Sequence, residues 1–218
     1  MKQCILFDLD GVVINSEPLY EKATLQLMQK YNINIPNSDW IDLHGLSENE
    51  FYATCIKKYK INCSLNSLLK EGNRLVLEVF NDSKIKFNDG FFTLFNQIHT
   101  VYDLALVTAT SEKIFNIINQ KINLSTYFST IVFGGMTKRN KPFPDPYLYA
   151  IKNLNSSPKN CIVIEDSLPG LRSAKSANCK TIALASTIGM KRLPDFVDMK
   201  ISSLDKITKK TIDQILNN

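Results

Sequence analysis

Short apolar runs that end abruptly in polar residues alternate along much of this chain with longer stretches in which apolar positions recur at helical spacing. The first run, Cys4, Ile5, Leu6 and Phe7, has no polar residue on either side of the backbone, so it reads as a strand buried on both faces. Similar runs at 103–107, 131–133, 161–164 and 181–185 read as four more strands. Helical patterns at 89–98, 112–122, 146–154 and 170–178 fall between them, and a last helix is expected at 204–216. Strand and helix in repeated order predict an α/β, Rossmann-like core: a parallel sheet with helices on both faces, in three layers. Ligands of such a sheet gather at the carboxyl ends of its strands.

Residues 15–81 interrupt the alternation. Residues 17–31 carry Leu19, Ala23, Leu27 and Tyr31 at helical spacing, with Pro18 in the first turn. After a loop at 32–38, two more helices are expected at 48–60 and 65–80, the second spaced by Leu68, Leu69, Leu75, Val76 and Val79. No strand pattern occurs in this region. The expected organisation is a core of residues 1–14 and 82–218, with an all-helical cap subdomain of residues 15–81 inserted after the first strand.

A chain of 218 residues has room for one substantial core and a smaller subdomain. Its 44% apolar and 22% charged residues describe a globular protein without a membrane partner, since no apolar run approaches a bilayer span. The first strand begins without a signal-like segment before it, and the expected location is cytoplasmic. The five cysteines are odd in number and lack CxxC spacing, which fits buried free thiols better than a disulfide scaffold or a zinc site. The net charge of +5 comes from scattered lysines rather than from a basic stripe with interleaved aromatics, so nucleic acid is not an expected partner. A monomer is the expected state.

The chemistry is concentrated at the strand ends. Asp8 and Asp10 follow the first strand two residues apart, and Gly11 provides the turn. On an extended backbone the two carboxylates point to the same side, an unfavourable arrangement unless a cation or a proton is shared. A hard divalent ion relieves it, and Mg2+ is the usual choice where phosphate is also bound. Thr108 ends the second strand, Glu165 and Asp166 end the fourth, and Lys141 stands in NKPFPDPY.

This set suits phosphoryl transfer. Asp8 would attack phosphorus to give an acyl phosphate, and Asp166, with Glu165, would complete the oxygen shell of the metal. Thr108 would donate a hydrogen bond to a phosphoryl oxygen, while Lys141 neutralises charge there and restrains Asp8. Asp10 would lend its backbone carbonyl to the ion and use its side chain to move protons.

The residues DLDG at 8–11, LVTAT ending at Thr110, Lys141 within KPFPDPYLY, and VIEDSLPGLRSAKSA at 163–177 occur in this order. With them the chain resembles the haloacid dehalogenase superfamily, within the helical-cap subgroup of phosphatases that are similar to beta-phosphoglucomutase. SEPLY, beginning at Ser16, also resembles the start of the cap. The resemblance implies Asp8 as nucleophile, Asp10 as general acid and base, and Thr108, Ala109 and Lys141 on the substrate phosphate. It implies Mg2+ held by Asp8, Asp10, Glu165 and Asp166, and it places His44 and Gly45 of the cap near the substrate.

Departures from the pattern refine the expectation. Where the mutases carry a cap Arg that grips a second phosphate, Glu48 stands here, a residue that would repel it. Tyr20 replaces a His, Gly72 a cap Lys, and Ser111 with Glu112 a Lys and Asn pair. Asn15 replaces an Asp at the expected hinge, where a changed hinge contact is anticipated. The expected function is a Mg2+-dependent phosphatase of a small phosphorylated metabolite, a sugar or polyol phosphate, acting through an aspartyl phosphate on Asp8. A phosphomutase is the alternative, followed by a non-catalytic binding protein that kept the fold.

Overall fold

The structure, a computed structural model, describes residues 2–43, 48–185 and 189–217. It divides into two compact units: a helical unit, Ser16–Lys84, and an α/β unit made of the chain on either side of it.

The α/β unit is built on strands β1 (Cys4–Phe7), β2 (Asp103–Ser111), β3 (Thr130–Gly134), β4 (Cys161–Glu165), β5 (Lys180–Leu184) and β6 (Met199–Ile201). They form one sheet in the order β3-β2-β1-β4-β5-β6, and every pairing is parallel. The helices of the unit are α5 (Phe91–Ile98), α6 (Glu112–Ile122), α7 (Asp145–Asn153), α8 (Leu168–Ser176) and α9 (Lys209–Asn217).

Side chains of β1 alternate between two apolar layers, which is why the strand contains no polar residue. Cys4 and Leu6 share one cluster with Ala105, Val163 and, from α7, Tyr147, Ala150 and Ile151. On the opposite face Phe7 meets the rings of Phe91, edge-on at 6.1 Å, and Phe128 at 5.9 Å. All five cysteines are free, and Cys4, Cys55, Cys161 and Cys179 are buried.

Three features of this unit differ from the sequence expectation. β2 continues past residue 107 as far as Ser111. β6 has only three residues, one of them Lys200, which is too short for a pattern to show. The helix expected at 204–216 is a tight turn over Leu204–Lys206 followed by α9. Thr208 separates the two, accepting the Thr211 N–H at 3.2 Å on its hydroxyl and the Ile212 N–H at 3.1 Å on its carbonyl, as a helix N-cap does.

The helical unit contains α1 (Glu17–Gln29), α2 (Asn37–Leu43), α3 (Glu48–Tyr59) and α4 (Leu65–Asp82). α2 lies partly in the region read as loop. Pro36 opens it, its carbonyl accepting the N–H of Asp39 at 2.9 Å and of Trp40 at 3.3 Å. Proline and small polar residues together resemble a turn more than a helix start. α1 packs along α4, with Tyr20 and Phe80 ring centroids 5.0 Å apart. Ser64 caps α4, accepting the Ser67 N–H at 3.1 Å. α3 comes close to α4 at Gly72: a β-carbon there would lie 2.2 Å from the Tyr52 hydroxyl oxygen.

The two chain passages that bracket the helical unit are stitched together. The Asn15 N–H donates to the Lys86 carbonyl at 3.0 Å, and the Asn88 N–H donates to the Val13 carbonyl at 2.9 Å. The Asn88 side-chain amide adds bonds to the carbonyls of Gly11 and Val12. No described helix is long and apolar enough to cross a membrane.

Candidate active site

Parallel register brings the site together. Phe7 lies level with Leu106 of β2 and Ile164 of β4, so the residues that follow leave the sheet at a common edge. Asp8 is still held in the ladder, its N–H donating to the Ile164 carbonyl at 3.0 Å. β1 is central, with β2 on one side and β4 on the other, and this reversal of strand order opens the crevice where ligands of such sheets bind.

Asp8, Glu165 and Asp166 are buried, and each offers a carboxylate oxygen within 4.8 Å of the others. Lys141, reaching in from the segment between β3 and α7, ties the group together. Its ammonium donates to Asp8 Oδ1 at 2.5 Å, to Glu165 Oε1 at 2.7 Å and to the Val107 carbonyl at 2.8 Å, which uses its three protons. Burial by itself would lower the Lys141 ammonium, but Asp8 and Glu165 raise it well above its ordinary range. Burial pushes the Asp8 carboxyl up and the carboxylates of Glu165, Asp166 and Asp10 add to that push, against the pull of Lys141. The Asp8 carboxyl thus sits among three other acidic side chains, with the Lys141 ammonium bonded to it and to Glu165.

Glu165 is anchored on both oxygens. Oε1 accepts from Lys141 and from the Tyr147 hydroxyl at 3.2 Å, while Oε2 accepts the Ser167 N–H and hydroxyl, each at 2.9 Å. The Tyr147 ring also lies under the Lys141 ammonium, 5.1 Å from ring centroid to nitrogen. Burial and the neighbouring Glu165 push the Tyr147 phenol well above its ordinary range, so it remains a neutral donor. Ser167 accepts the Gly170 N–H at 3.1 Å as it caps α8. Gly170 has to be glycine here, because a β-carbon would lie 1.6 Å from Glu165 Oε1.

The end of β2 supplies the opposite wall. Val107 pairs with Val132 and Ser111 with Gly134, so β2 advances four residues while β3 advances two. This bulge contains Thr108, Ala109 and Thr110. Gly134 makes room for it, since a β-carbon there would meet the Ala109 carbonyl oxygen at 2.4 Å. Thr108 is buried and its hydroxyl oxygen accepts the Thr110 N–H at 3.0 Å. Ala109 is exposed. Thr110 is buried and donates its hydroxyl to Asp10 Oδ2.

The residues expected at the site thus occupy one edge of one unit: Asp8 and Asp10 after β1, Thr108 and Ala109 in the bulge, Lys141 on its loop, Glu165 and Asp166 at the end of β4. His44 and Gly45 lie outside the described residues. Sequence reasoning missed Thr110 and Tyr147, although both stand inside the quoted motifs. Tyr147 was visible only as a position in a helix, and Thr110 only as a residue after a strand. A hard divalent cation fits this donor set of buried carboxylate oxygens.

A family profile described as haloacid dehalogenase-like hydrolase matches residues 5–184. A phosphorylated carbohydrates phosphatase of Thermotoga maritima is 31% identical over 185 residues, covering 83% of this chain and 83% of its own. Hexitol phosphatase A of Escherichia coli is 28% identical over 213 residues, covering 93% of this chain and 92% of its own. Among solved structures, a haloacid dehalogenase hydrolase of family IA, variant 3, from Entamoeba histolytica superposes with a TM-score of 0.85. It is 24% identical, and the match covers 99% of this chain and all of the other.

Proposed function

The chain belongs to the haloacid dehalogenase-like hydrolase family, and on that premise we propose that it is a Mg2+-dependent phosphatase of a sugar or polyol phosphate, working through an aspartyl phosphate on Asp8. The observation that carries this reading is the Lys141 ammonium held between Asp8 and Glu165 beside the buried Asp166. That arrangement keeps a carboxylate oxygen of Asp8 oriented within an acidic cluster. Asp8 and Asp166, with the Asp10 carbonyl, would hold Mg2+, which when bound neutralises charge on the transferring phosphoryl group, while Glu165, its oxygens taken by Lys141, Tyr147 and Ser167, holds Lys141 in place.

Asp8 attacks phosphorus, the bond from phosphorus to the leaving oxygen breaks, and Asp10 gives that oxygen its proton. Water then attacks the phosphoryl group on Asp8 and passes a proton to Asp10. The bond from phosphorus to the Asp8 oxygen breaks, and both carboxyl groups return to their starting state. Thr108 and the adjacent Ala109 receive the phosphoryl oxygens. The Thr108 oxygen already accepts the Thr110 N–H, which directs its own proton outward as a donor. Lys141 balances the charge that spreads over those oxygens.

The substrate class rests on the carbohydrate and hexitol phosphatases among the relatives. Gly72 counts against the phosphomutase alternative: the Tyr52 hydroxyl occupies the space a longer side chain at that position would need. Asp8→Asn should lose phosphate release from sugar and polyol phosphates while its thermal transition stays that of a folded protein. Full turnover in that variant would overturn the proposal, as would wild-type turnover that survives complete removal of divalent ions.

A further inference from the structure

Resting on the proton-transfer role proposed for Asp10, we infer that Thr110 is the residue that positions this carboxyl group for its work. Two bulged residues on β2 turn Thr110 inward and bury it. Gly134 tolerates the bulge where any side chain would collide with the Ala109 carbonyl. Thr108 and Thr110 stand two residues apart, the spacing that puts two side chains of an extended chain on one side, so the two can act together.

The Thr110 N–H fixes the Thr108 hydroxyl, and the Thr110 hydroxyl donates to Asp10 Oδ2. One residue thereby sets the relative position of the phosphate-facing hydroxyl and the proton-transferring carboxyl.

The direction of the hydrogen bond has a chemical consequence. Oδ2 accepts from Thr110, so the exchangeable proton of Asp10 belongs on Oδ1. Without this donor the carboxyl loses one of the contacts that orient it, and the fraction of encounters with a correctly aimed proton falls. The same alignment serves the second half-reaction, in which Asp10 takes a proton from water. Thr110 touches neither substrate nor metal in this assignment, so it is a positioning residue.

The test compares wild type, Thr110→Val, Thr110→Ser and Asp10→Asn on two substrates. Val keeps the shape and β-branching of Thr and removes the donor, while Ser keeps the donor. An alkyl phosphate needs a proton on its leaving oxygen, and p-nitrophenyl phosphate does not. With the alkyl phosphate, Thr110→Val should lower kcat by about tenfold to a hundredfold, within the range of proton-transfer catalysis, with KM little changed. With p-nitrophenyl phosphate it should keep a fast burst of nitrophenol, followed by slow steady turnover as water attack on the phosphoryl enzyme becomes limiting. Thr110→Ser should restore most of the alkyl phosphate rate.

If Asp10→Asn shows this split and Thr110→Val behaves as wild type, or loses the burst and the alkyl rate alike, the role of Thr110 is overturned. Failure of Ser to rescue would overturn it too. If Asp10→Asn shows no split, the proton-transfer reading of Asp10 has failed instead, and the inference falls with it.

Discussion

Glycine 170 shows how narrowly the carboxylates are held. The first turn of α8 passes so close to Glu165 that an added methyl would overlap its carboxylate, and that carboxylate anchors Lys141, which in turn restrains Asp8. Gly170→Ala gains at most about 1 kcal/mol of helix propensity. It should nevertheless destabilise the protein by about 1–3 kcal/mol through overpacking, read as a lower denaturation midpoint. Because the displaced group sits one contact from the nucleophile, kcat should fall by about a hundredfold. Unchanged kcat with unchanged stability would show that Glu165 can move without consequence. At this scale Asp8, Asp10, Glu165 and Asp166 stand out in the sequence as charged residues at the ends of apolar runs, whereas Lys141, well beyond the third run, is marked only by its motif. Thr110 and Tyr147 were not legible there. Their roles depend on hydrogen bonds across 100 and 18 residues of chain, to Asp10 and Glu165, which no local pattern reveals.

Elements follow the same division between what periodicity shows and what packing adds. The apolar runs located β1 to β5, and helical spacing located the long helices, because burial on defined faces dictates both patterns. β6 and α2 were missed because three and seven residues give too few repeats for a period to appear. The bulge in β2 also left no mark: two extra residues look like strand from within, and only the register with β3 exposes them. In the helical unit the approach of α3 to α4 depends on a missing side chain. Gly72→Ala should destabilise the protein although alanine favours helix, because the Tyr52 ring is buried and rigid and cannot withdraw cheaply. In a Tyr52→Phe background, where the nearest atom is gone, the same substitution should cost less. Equal costs in both backgrounds, measured by chemical denaturation, would remove Tyr52 as the cause.

Across the whole molecule, every residue proposed to carry the chemistry lies in the α/β unit, between residues 8 and 15 or beyond 85. If discrimination among phosphate esters resides in Ser16–Lys84, removing that unit should abolish it and spare the chemistry. The stitched passages make this division accessible to experiment. Asn15 and Lys86 are joined by a backbone hydrogen bond, so the chain leaves and returns at nearly one point. Joining two ends already so close requires only a short connection with little additional closure entropy. Replacing residues 16–84 with a few Gly and Ser residues should leave an α/β unit that unfolds in one cooperative transition and still cleaves p-nitrophenyl phosphate. It should no longer rank sugar phosphates above other esters. Loss of all folded structure would show that the sheet depends on the insert. Seen this way, the Asn15, Lys86 and Asn88 contacts form a socket: they fix both ends of the insert within the α/β unit, so a different helical insert whose ends match that spacing should leave the reactive edge untouched.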